Sequence, residues 1–515
     1  MLTPFVNEPL RDFSDPVQRT AMQQAITEVA SRLGESRPLV INGQAVSGVG
    51  EMVSTDPADN QTVVAKVAKA GPADVERAIT GAWDAFSAWQ AWTPAARAQV
   101  LVRAAAIMRR RKSELSAWEI FEAGKTWGEA DGDVAEAIDF LEYYARQMIR
   151  LGQGVEVTQL PGEGDEAFYQ ALGVGVVIPP WNFPLAIPTG MVSAAVVSGN
   201  AVLFKPASTT PMLGALLVEI LTAAGLPPGV VQFLPGAGAA IGDLMVSHPK
   251  VRFISFTGSK DVGLHIIELA AHHQPGQRWV KRVVAEMGGK DAIVVDETAD
   301  LSLAADGIVA SAFGFQGQKC SACSRAIIVD AVYDLVVAAV VERTRALVMG
   351  HPQDPTVQVG PVIDPRAKDK IATYLALAPK EGTVAIGGQV ADRPGNYIQP
   401  TVVVDVAPDA RLAQEEIFGP VLTVIRATDF EHALQIANGT EYGLTGSLYS
   451  ADRSRISRAR TEFQVGNLYI NRKCTGAMVG AHPFGGFNMS GTDSKTGSPD
   501  YLLLFLEMKA VAEKF

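Results

Sequence analysis

The sequence predicts an α/β protein built on two parallel sheets, and three observations carry that prediction. Short apolar runs alternate with helical patterns from Gly173 to Ala285. A second alternation of the same kind runs from Ala292 to Ile470. Strand–helix–strand units of this sort form parallel sheets with helices on both faces. The 515 residues, 48% apolar and 19% charged, are enough for two or three domains with buried cores. Such sheets bind ligands beyond the carboxyl ends of their strands, so chemistry is sought just after each strand.

Taken in order, Val75, Ile79, Ala82, Phe86 and Trp89 follow helical spacing. Thr93-Pro94 reads as the cap and first residue of another helix, ending near Arg109-Arg110-Arg111-Lys112. That basic run is read as a solvated helix face with cations near a C-terminus. Gly124-Lys125-Thr126 resembles the tail of a phosphate loop, but Glu119 stands where the loop needs glycine.

In the first alternation, strands are expected at Val174–Ile178, Ala201–Phe204, Val230–Leu234, Phe253–Phe256 and Val283–Ala285. The helices between them begin near Leu185, Leu213, Ile241 and Val262. In the second, strands are expected at Ala292–Val295, Ala326–Val329, Thr401–Val404, Val421–Ile425 and Val465–Ile470. Helices are expected at Leu303–Phe313, Leu335–Leu347, beyond Pro365 and around Phe430–Ala437. The apolar tail Tyr501–Met508 must bury itself against the body or another subunit.

A net charge of −11 argues against nucleic acid or an anionic membrane as partner. The uncharged stretch between Glu166 and Lys205 is broken by Pro179, Pro180, Pro184 and Pro188. It reads as buried core, not a membrane span. Three cysteines make no disulfide scaffold, and Met1–Glu8 lacks the features of a signal peptide. A cytoplasmic protein is expected.

The candidate chemistry centres on Phe313–Arg325, which holds Cys320 and Cys323. Lys319 directly before Cys320 could support a thiolate, and a buried structural thiol is the other reading. Cys320-Ser321-Ala322-Cys323 fits a C-x-x-C pattern, but no further Cys pair or His spacing completes a zinc site. Gly236–Gly242 nearly matches a dinucleotide fingerprint, and Phe256–Gly263 is a second strand-to-helix turn. Such a turn leaves backbone N–H groups and the Ser259 hydroxyl for a phosphate, or makes an ordinary capped helix. Glu286 stands at a strand end before Gly288 and Gly289, where an α/β enzyme keeps a base or where a surface acid sits. Asn182 lies in Pro180-Trp181-Asn182-Phe183-Pro184, as an oxyanion donor or a turn residue.

Together these pieces resemble the aldehyde dehydrogenase superfamily, from about Pro38 to Phe515. Five motifs stand in the expected order: Pro180–Pro184, Lys205–Ser208, Phe256–Gly263, Glu286–Lys290 and Gly317–Cys320. Glu415–Pro420 and Pro483–Gly486 follow. The resemblance implies a Rossmann-type cofactor domain over 1–150 and 173–286 and a second α/β catalytic domain over 287–482. It adds a small oligomerisation flap and tail over 151–172 and 483–515, and hence a dimer-based homo-oligomer, with a hexamer among the options.

The resemblance also implies roles. Cys320 attacks an aldehyde, Asn182 and the Cys320 N–H hold the oxyanion, and Glu286 activates water to release a thioacyl-enzyme. The implied cofactor-binding residues are Ile178, Pro180, Trp181, Lys205, Ser208, Gly238, Gly242, Phe256, Gly258, Ser259, Glu416 and Phe418. NAD is the implied cofactor. Ser208 stands where many NAD-preferring members carry Glu, so measurable use of NADP is expected.

Within the superfamily the chain is most similar to members that oxidise the small molecule L-glutamate γ-semialdehyde. Phe313–Arg325, Pro4–Pro9 and Asn471–Ala477 carry that similarity. It implies that Ser321, Gly476 and Ala477 anchor the amino acid end and that Phe183 and Phe484 flank the chain. Glu136 is expected near the substrate amine or Lys319. A CoA-acylating enzyme needs no water-activating Glu286. A thiol hydrolase needs a His/Asp pair, which does not stand near Cys320 in sequence.

Overall fold

A computed structural model describes residues 2–515. The first sheet has seven strands. Their order is Arg282–Glu286, Phe253–Thr257, Val174–Ile178, Ala201–Phe204, Val231–Phe233, Leu39–Ile41 and Gln44–Val46. The first five are parallel, and Leu39–Ile41 adds antiparallel. These five strands are almost wholly apolar and buried, as strands covered on both faces must be. From Val174–Ile178 the chain proceeds outward one way to Val231–Phe233, then returns to build the other side with Phe253–Thr257. The crevice at this reversal is where a doubly wound sheet binds its ligand.

The second sheet also has seven strands. Their order is Thr383–Ile386, Thr401–Val404, Val421–Ala427, Arg325–Val329, Ala292–Val295, Thr445–Tyr449 and Asn467–Ile470. All pairings are parallel except that of the edge strand Thr383–Ile386. Each sheet has its own apolar core.

Glu163–Ala171 pairs antiparallel with Leu506–Lys514 to make a two-stranded ribbon. Leu502, Phe505 and Leu506 bury themselves in the first core, where Phe505 meets Phe253 edge-on at 5.4 Å. Residues 483–500 lie outside the ribbon and run back over the end of the first sheet, through a bridge between Glu286 and Gly491. Among the described residues no helix is long and apolar enough to cross a membrane.

Three local readings need correction. Thr383–Ile386 and Thr445–Tyr449 were not expected as strands. The helix expected from Ile241 is a π turn at Gly238–Gly242 followed by the short helix Asp243–Ser247. The basic run is only partly solvated, because Lys112 is buried and pairs with Asp131 at 3.0 Å.

Candidate active site

The first sheet delivers Glu286 at the end of its edge strand. A loop from the C-terminal region closes over it. Thr492 N donates to Ala285 O at 2.9 Å and Met287 N to Ser490 O at 2.8 Å. The Ser494 hydroxyl donates to Glu286 Oε1, while Oε2 is buried without a partner. Burial pushes the Glu286 carboxyl up to about 7, against the hydroxyl of Ser494 and the backbone N–H groups of Ser494 and Gly486. A Cβ at Gly485 would lie 3.0 Å from Glu286 Oε1 and 2.7 Å from Lys495 N, so the loop fits only with glycine there. Sequence reasoning missed Ser494, because 208 residues separate it from its partner.

The second unit delivers the thiol through a strained turn. After the helix Leu301–Phe313, Phe315, Gln316 and Gly317 take φ of 48°, 55° and 68°. Left-handed backbone at two non-glycine residues costs on the order of 1–3 kcal/mol each and is held by its surroundings. A Cβ at Gly317 would collide with Gly419 O. Cys320 follows, half-buried. Its thiol is pushed well above its ordinary range, first by burial and then by the carboxyls of Asp291, Glu286 and Glu416. Lys319 does not relieve this, because its Nζ lies 2.7 Å from Glu129. The expectation that Lys319 supports a thiolate is therefore corrected.

Asn182 joins the two units. It follows strand Val174–Ile178, is buried, and donates through Nδ2 to Gln318 O at 3.0 Å. An amide nitrogen carries two hydrogens, so one stays available beside the turn that carries Cys320. Cys323 points elsewhere: it is buried in the second core, with Sγ 3.5 Å from Arg325 O.

The residues expected to hold a dinucleotide fit one. Ile178, Pro180 and Trp181 sit at the sheet reversal. Ser259 caps the helix Lys260–Ala271 with an exposed side chain that makes no capping bond, so its hydroxyl can serve an anion. Gly238 and Gly242 have open space where a Cβ would stand. Gly258 does not, since a Cβ there would lie 2.6 Å from the Phe256 ring. Lys205 is buried, and burial lowers its ammonium below the ordinary range. Ser208 is exposed. Trp181 and Phe418 meet edge-on at 5.5 Å. Glu416 Oε1 accepts from Gly289 N at 3.0 Å, and a Cβ at Gly288 would strike the same carboxylate.

On the substrate side, the helix Trp127–Leu151 turns Glu129, Asp133 and Glu136 onto one face. Burial and the Asp133 charge push the Glu136 carboxyl up to about 8. The partner of Lys319 is Glu129, not Glu136. Glu129 is held below its ordinary range despite burial, because Lys319, Lys125 and Lys473 outweigh it.

Lys125, in the stretch that resembles the tail of a phosphate loop, has a fully buried side chain. It pairs with Asp133 and, at 3.1 Å, with Glu119. Its Nζ lies 4.5 Å from the Phe183 ring centre and 5.0 Å from that of Phe315. Ser321 is buried next to Cys320, and its carbonyl accepts from Thr445 Oγ1 at 3.4 Å. Gly476, with φ +78°, and half-buried Ala477 stand on the loop after Cys474. The Lys473 ammonium lies 3.6 Å from a Cβ placed on Gly476. Phe484 is half-buried on the loop that covers Glu286.

Known proteins agree with this architecture. The chain is 56% identical over 515 residues to a 1-pyrroline-5-carboxylate dehydrogenase of Geobacillus kaustophilus, covering all of both chains. A 1-pyrroline-5-carboxylate dehydrogenase from Thermus, solved with bound NAD, superposes with a TM-score of 0.99 at 52% identity, again covering all of both chains. Proline utilization A from Bdellovibrio bacteriovorus superposes with a TM-score of 0.98 at 45% identity over 99% of this chain and 53% of that one. The aldehyde dehydrogenase family profile matches residues 45–511. A thiol, a buried carboxyl and an amide brought together from two α/β units thus have a family context: the chain belongs to the aldehyde dehydrogenase family.

Proposed function

We propose that this chain oxidises L-glutamate γ-semialdehyde, the hydrolysed form of 1-pyrroline-5-carboxylate, to L-glutamate with NAD. The observation that carries the reading is the Asn182–Gln318 contact, which puts an oxyanion donor on the turn of the nucleophile. The substrate follows from the relatives named 1-pyrroline-5-carboxylate dehydrogenase, at 56% identity over the whole chain. This is the second step of proline breakdown, and a cytoplasmic site fits it.

NAD, when bound, would supply the hydride acceptor. Lys205 and Glu416 suit its ribose hydroxyls, Ser259 its pyrophosphate, and Trp181 and Phe418 the walls beside its nicotinamide end. Everything else is done by groups of the protein itself. Cys320 gives up its thiol proton to water as Sγ adds to the aldehyde carbon, and the Asn182 amide and Cys320 N–H hold the resulting oxyanion. With the acyl group on sulfur, Glu286 Oε2, unpartnered among protein atoms, takes a proton from the attacking water. Ser321, Gly476 and Ala477 hold the substrate carboxylate, Glu136 faces its amine, and Phe183 and Phe484 line its chain.

The division into a NAD-binding domain over 1–150 and 173–286 and a catalytic domain over 287–482 is supported by the two sheets. A two-stranded ribbon alone is marginally stable in water. Its outer residues Met508 and Phe515 are 53% and 85% exposed, which suits cover by a second copy in a homo-oligomer.

The test is NADH formation from glutamate semialdehyde beside succinic semialdehyde, glyceraldehyde and propanal. Far better turnover of another aldehyde overturns the substrate. Activity retained by Cys320→Ala overturns the nucleophile.

A further inference from the structure

The family match begins at residue 45, yet residues before it reach the substrate side of the site. Residues 3–13 lie along the helix Trp127–Leu151. Arg146 Nε donates to Thr3 O at 2.8 Å, and Phe5 meets Tyr143 edge-on at 5.1 Å. Asn7 Nδ2 and Glu8 N donate to Asp139 at 2.8 and 2.6 Å. Arg11 N donates to Asp131 at 2.9 Å, and Phe13 meets Trp127 at 5.2 Å. The helix residues in these contacts make one broad face, and Glu129, Asp133 and Glu136 occupy the adjoining one.

The arm also touches the loop that carries Gly476 and Ala477. Asn7 Nδ2 donates to Val479 O at 3.1 Å as well as to Asp139. Both hydrogens of one side-chain amide are thus spent, one on the helix and one on the loop. Gly480, with φ +79°, sits so close that a Cβ would lie 2.9 Å from Tyr143 and 3.2 Å from Phe5. The loop has a second tie, Gly480 N to Gly497 O at 3.0 Å, and Gly497 N donates in turn to Tyr144 OH on the helix at 2.9 Å, so the arm adds the side-chain link between helix and loop that Asn7 makes in a single step.

We propose that this N-terminal arm, through Asn7 and Phe5, fixes the spacing between the long helix and the Gly476–Ala477 loop and so sets selectivity for an aldehyde bearing an amino acid head. The proposal rests on the substrate reading above. Recognition of such a head needs a carboxylate anchor on the loop and an acid on the helix at one fixed separation. Attack on the aldehyde carbon needs only Cys320, Asn182 and Glu286, which the arm does not contact. Asn7 and Phe5 are therefore positioning residues.

The experiment uses the full chain and its Asn7→Ala, Asn7→Asp and Phe5→Ala variants, with thermal melting to follow folding. Glutamate semialdehyde and propanal are compared, and L-glutamate is titrated as a product inhibitor. For Asn7→Ala, KM for glutamate semialdehyde and Ki for L-glutamate should each rise about tenfold, with kcat, KM for NAD and kcat/KM for propanal within about twofold. Asn7→Asp, which turns an oxygen toward Val479 O and Asp139, should be at least as severe, and Phe5→Ala should shift the same ratio. An equal fall for both aldehydes, or an unchanged ratio in all three variants, overturns the proposal. Wild-type protein that fails to turn over glutamate semialdehyde overturns the substrate reading, and the selectivity claim with it. Normal wild-type turnover with an unchanged ratio overturns the claim about the arm alone.

Discussion

Lys319 Nζ lies 2.7 Å from a carboxylate oxygen of Glu129, so the lysine next to Cys320 in sequence is committed to a helix across the site. Burial, and after it the carboxyls of Asp291, Glu286 and Glu416, push the thiol well above its ordinary range. Lys319→Met should therefore leave the pH for half-maximal alkylation of Cys320 by iodoacetamide nearly unmoved. The same change removes a charge-assisted contact of ~1.5–3 kcal/mol and should raise KM for glutamate semialdehyde roughly tenfold or more. A clear upward shift of the alkylation profile in Lys319→Met would show that the lysine does activate the thiol.

As the proposed base, Glu286 should give the enzyme its acid limb. Burial raises its carboxyl to about 7, so below that pH it holds its proton and cannot act as a base. Above it the carboxylate form dominates and turnover should reach a plateau. Steady-state kcat measured from pH 5.5 to 9 should fall about tenfold per pH unit on the acid side of the break. Glu286→Gln should keep a first-turnover burst of NADH and lose steady turnover. Ser494→Ala removes the hydroxyl that steadies the carboxylate, so its break should move to higher pH. A break that stays put in Ser494→Ala would deny that hydroxyl any influence on the base.

Ser208 bears on the choice of cofactor. It is exposed after the strand Ala201–Phe204, three residues beyond Lys205. A serine neither binds a ribose diol as a carboxylate does nor repels a 2′-phosphate. The wild-type protein should therefore use NAD with measurable turnover of NADP. Ser208→Glu should lower kcat/KM for NADP about tenfold or more through charge repulsion, with the NAD value changed far less. Parallel initial-rate series with the two cofactors decide it, and complete absence of NADP turnover in the wild type would remove the premise.

Much of this was readable in the chain because parallel strands buried on both faces write themselves as apolar runs. Val174–Ile178, Ala201–Phe204 and Ala292–Val295 stand where the pattern put them. Glu286 and Asn182 were legible as candidates because each lies at or just past the end of such a strand, and Cys320 because it stands in a motif of fixed order ahead of the strand Arg325–Val329. What stayed hidden depends on distance in sequence. Ser494 meets Glu286 from 208 residues away, and Lys319 meets Glu129 from 190. The left-handed turn at Phe315 and Gln316 was hidden for another reason. Neither residue favours that backbone, so packing imposes it and no local propensity announces it. Glu119 and Lys125 look like ordinary helix and loop charges until the fold removes them from water.

That buried cluster makes the sharpest stability prediction. Lys125, Glu119 and Asp133 have no exposed side-chain surface. Glu119 is pushed well above the ordinary carboxyl range by burial and by Asp133. Burial opposes the charge on Lys125, but Asp133 and Glu119 hold its ammonium above the ordinary range. Asp133 also accepts from Ala186 N at 2.6 Å, at the start of the helix that follows Asn182 and Phe183. Lys125→Met leaves the Asp133 carboxylate buried without its cation, a loss of about 3–5 kcal/mol. Pairing it with Asp133→Asn removes the stranded charge and keeps an oxygen for Ala186 N. The double variant should recover a large part of that loss in urea unfolding. It should not recover full activity, because the Lys125 ammonium also lies against the rings of Phe183 and Phe315. Phe183 lines the proposed substrate path and Phe315 belongs to the turn that presents Cys320. A double variant no more stable than Lys125→Met would mean that ring contacts, rather than charge balance, hold the lysine in place.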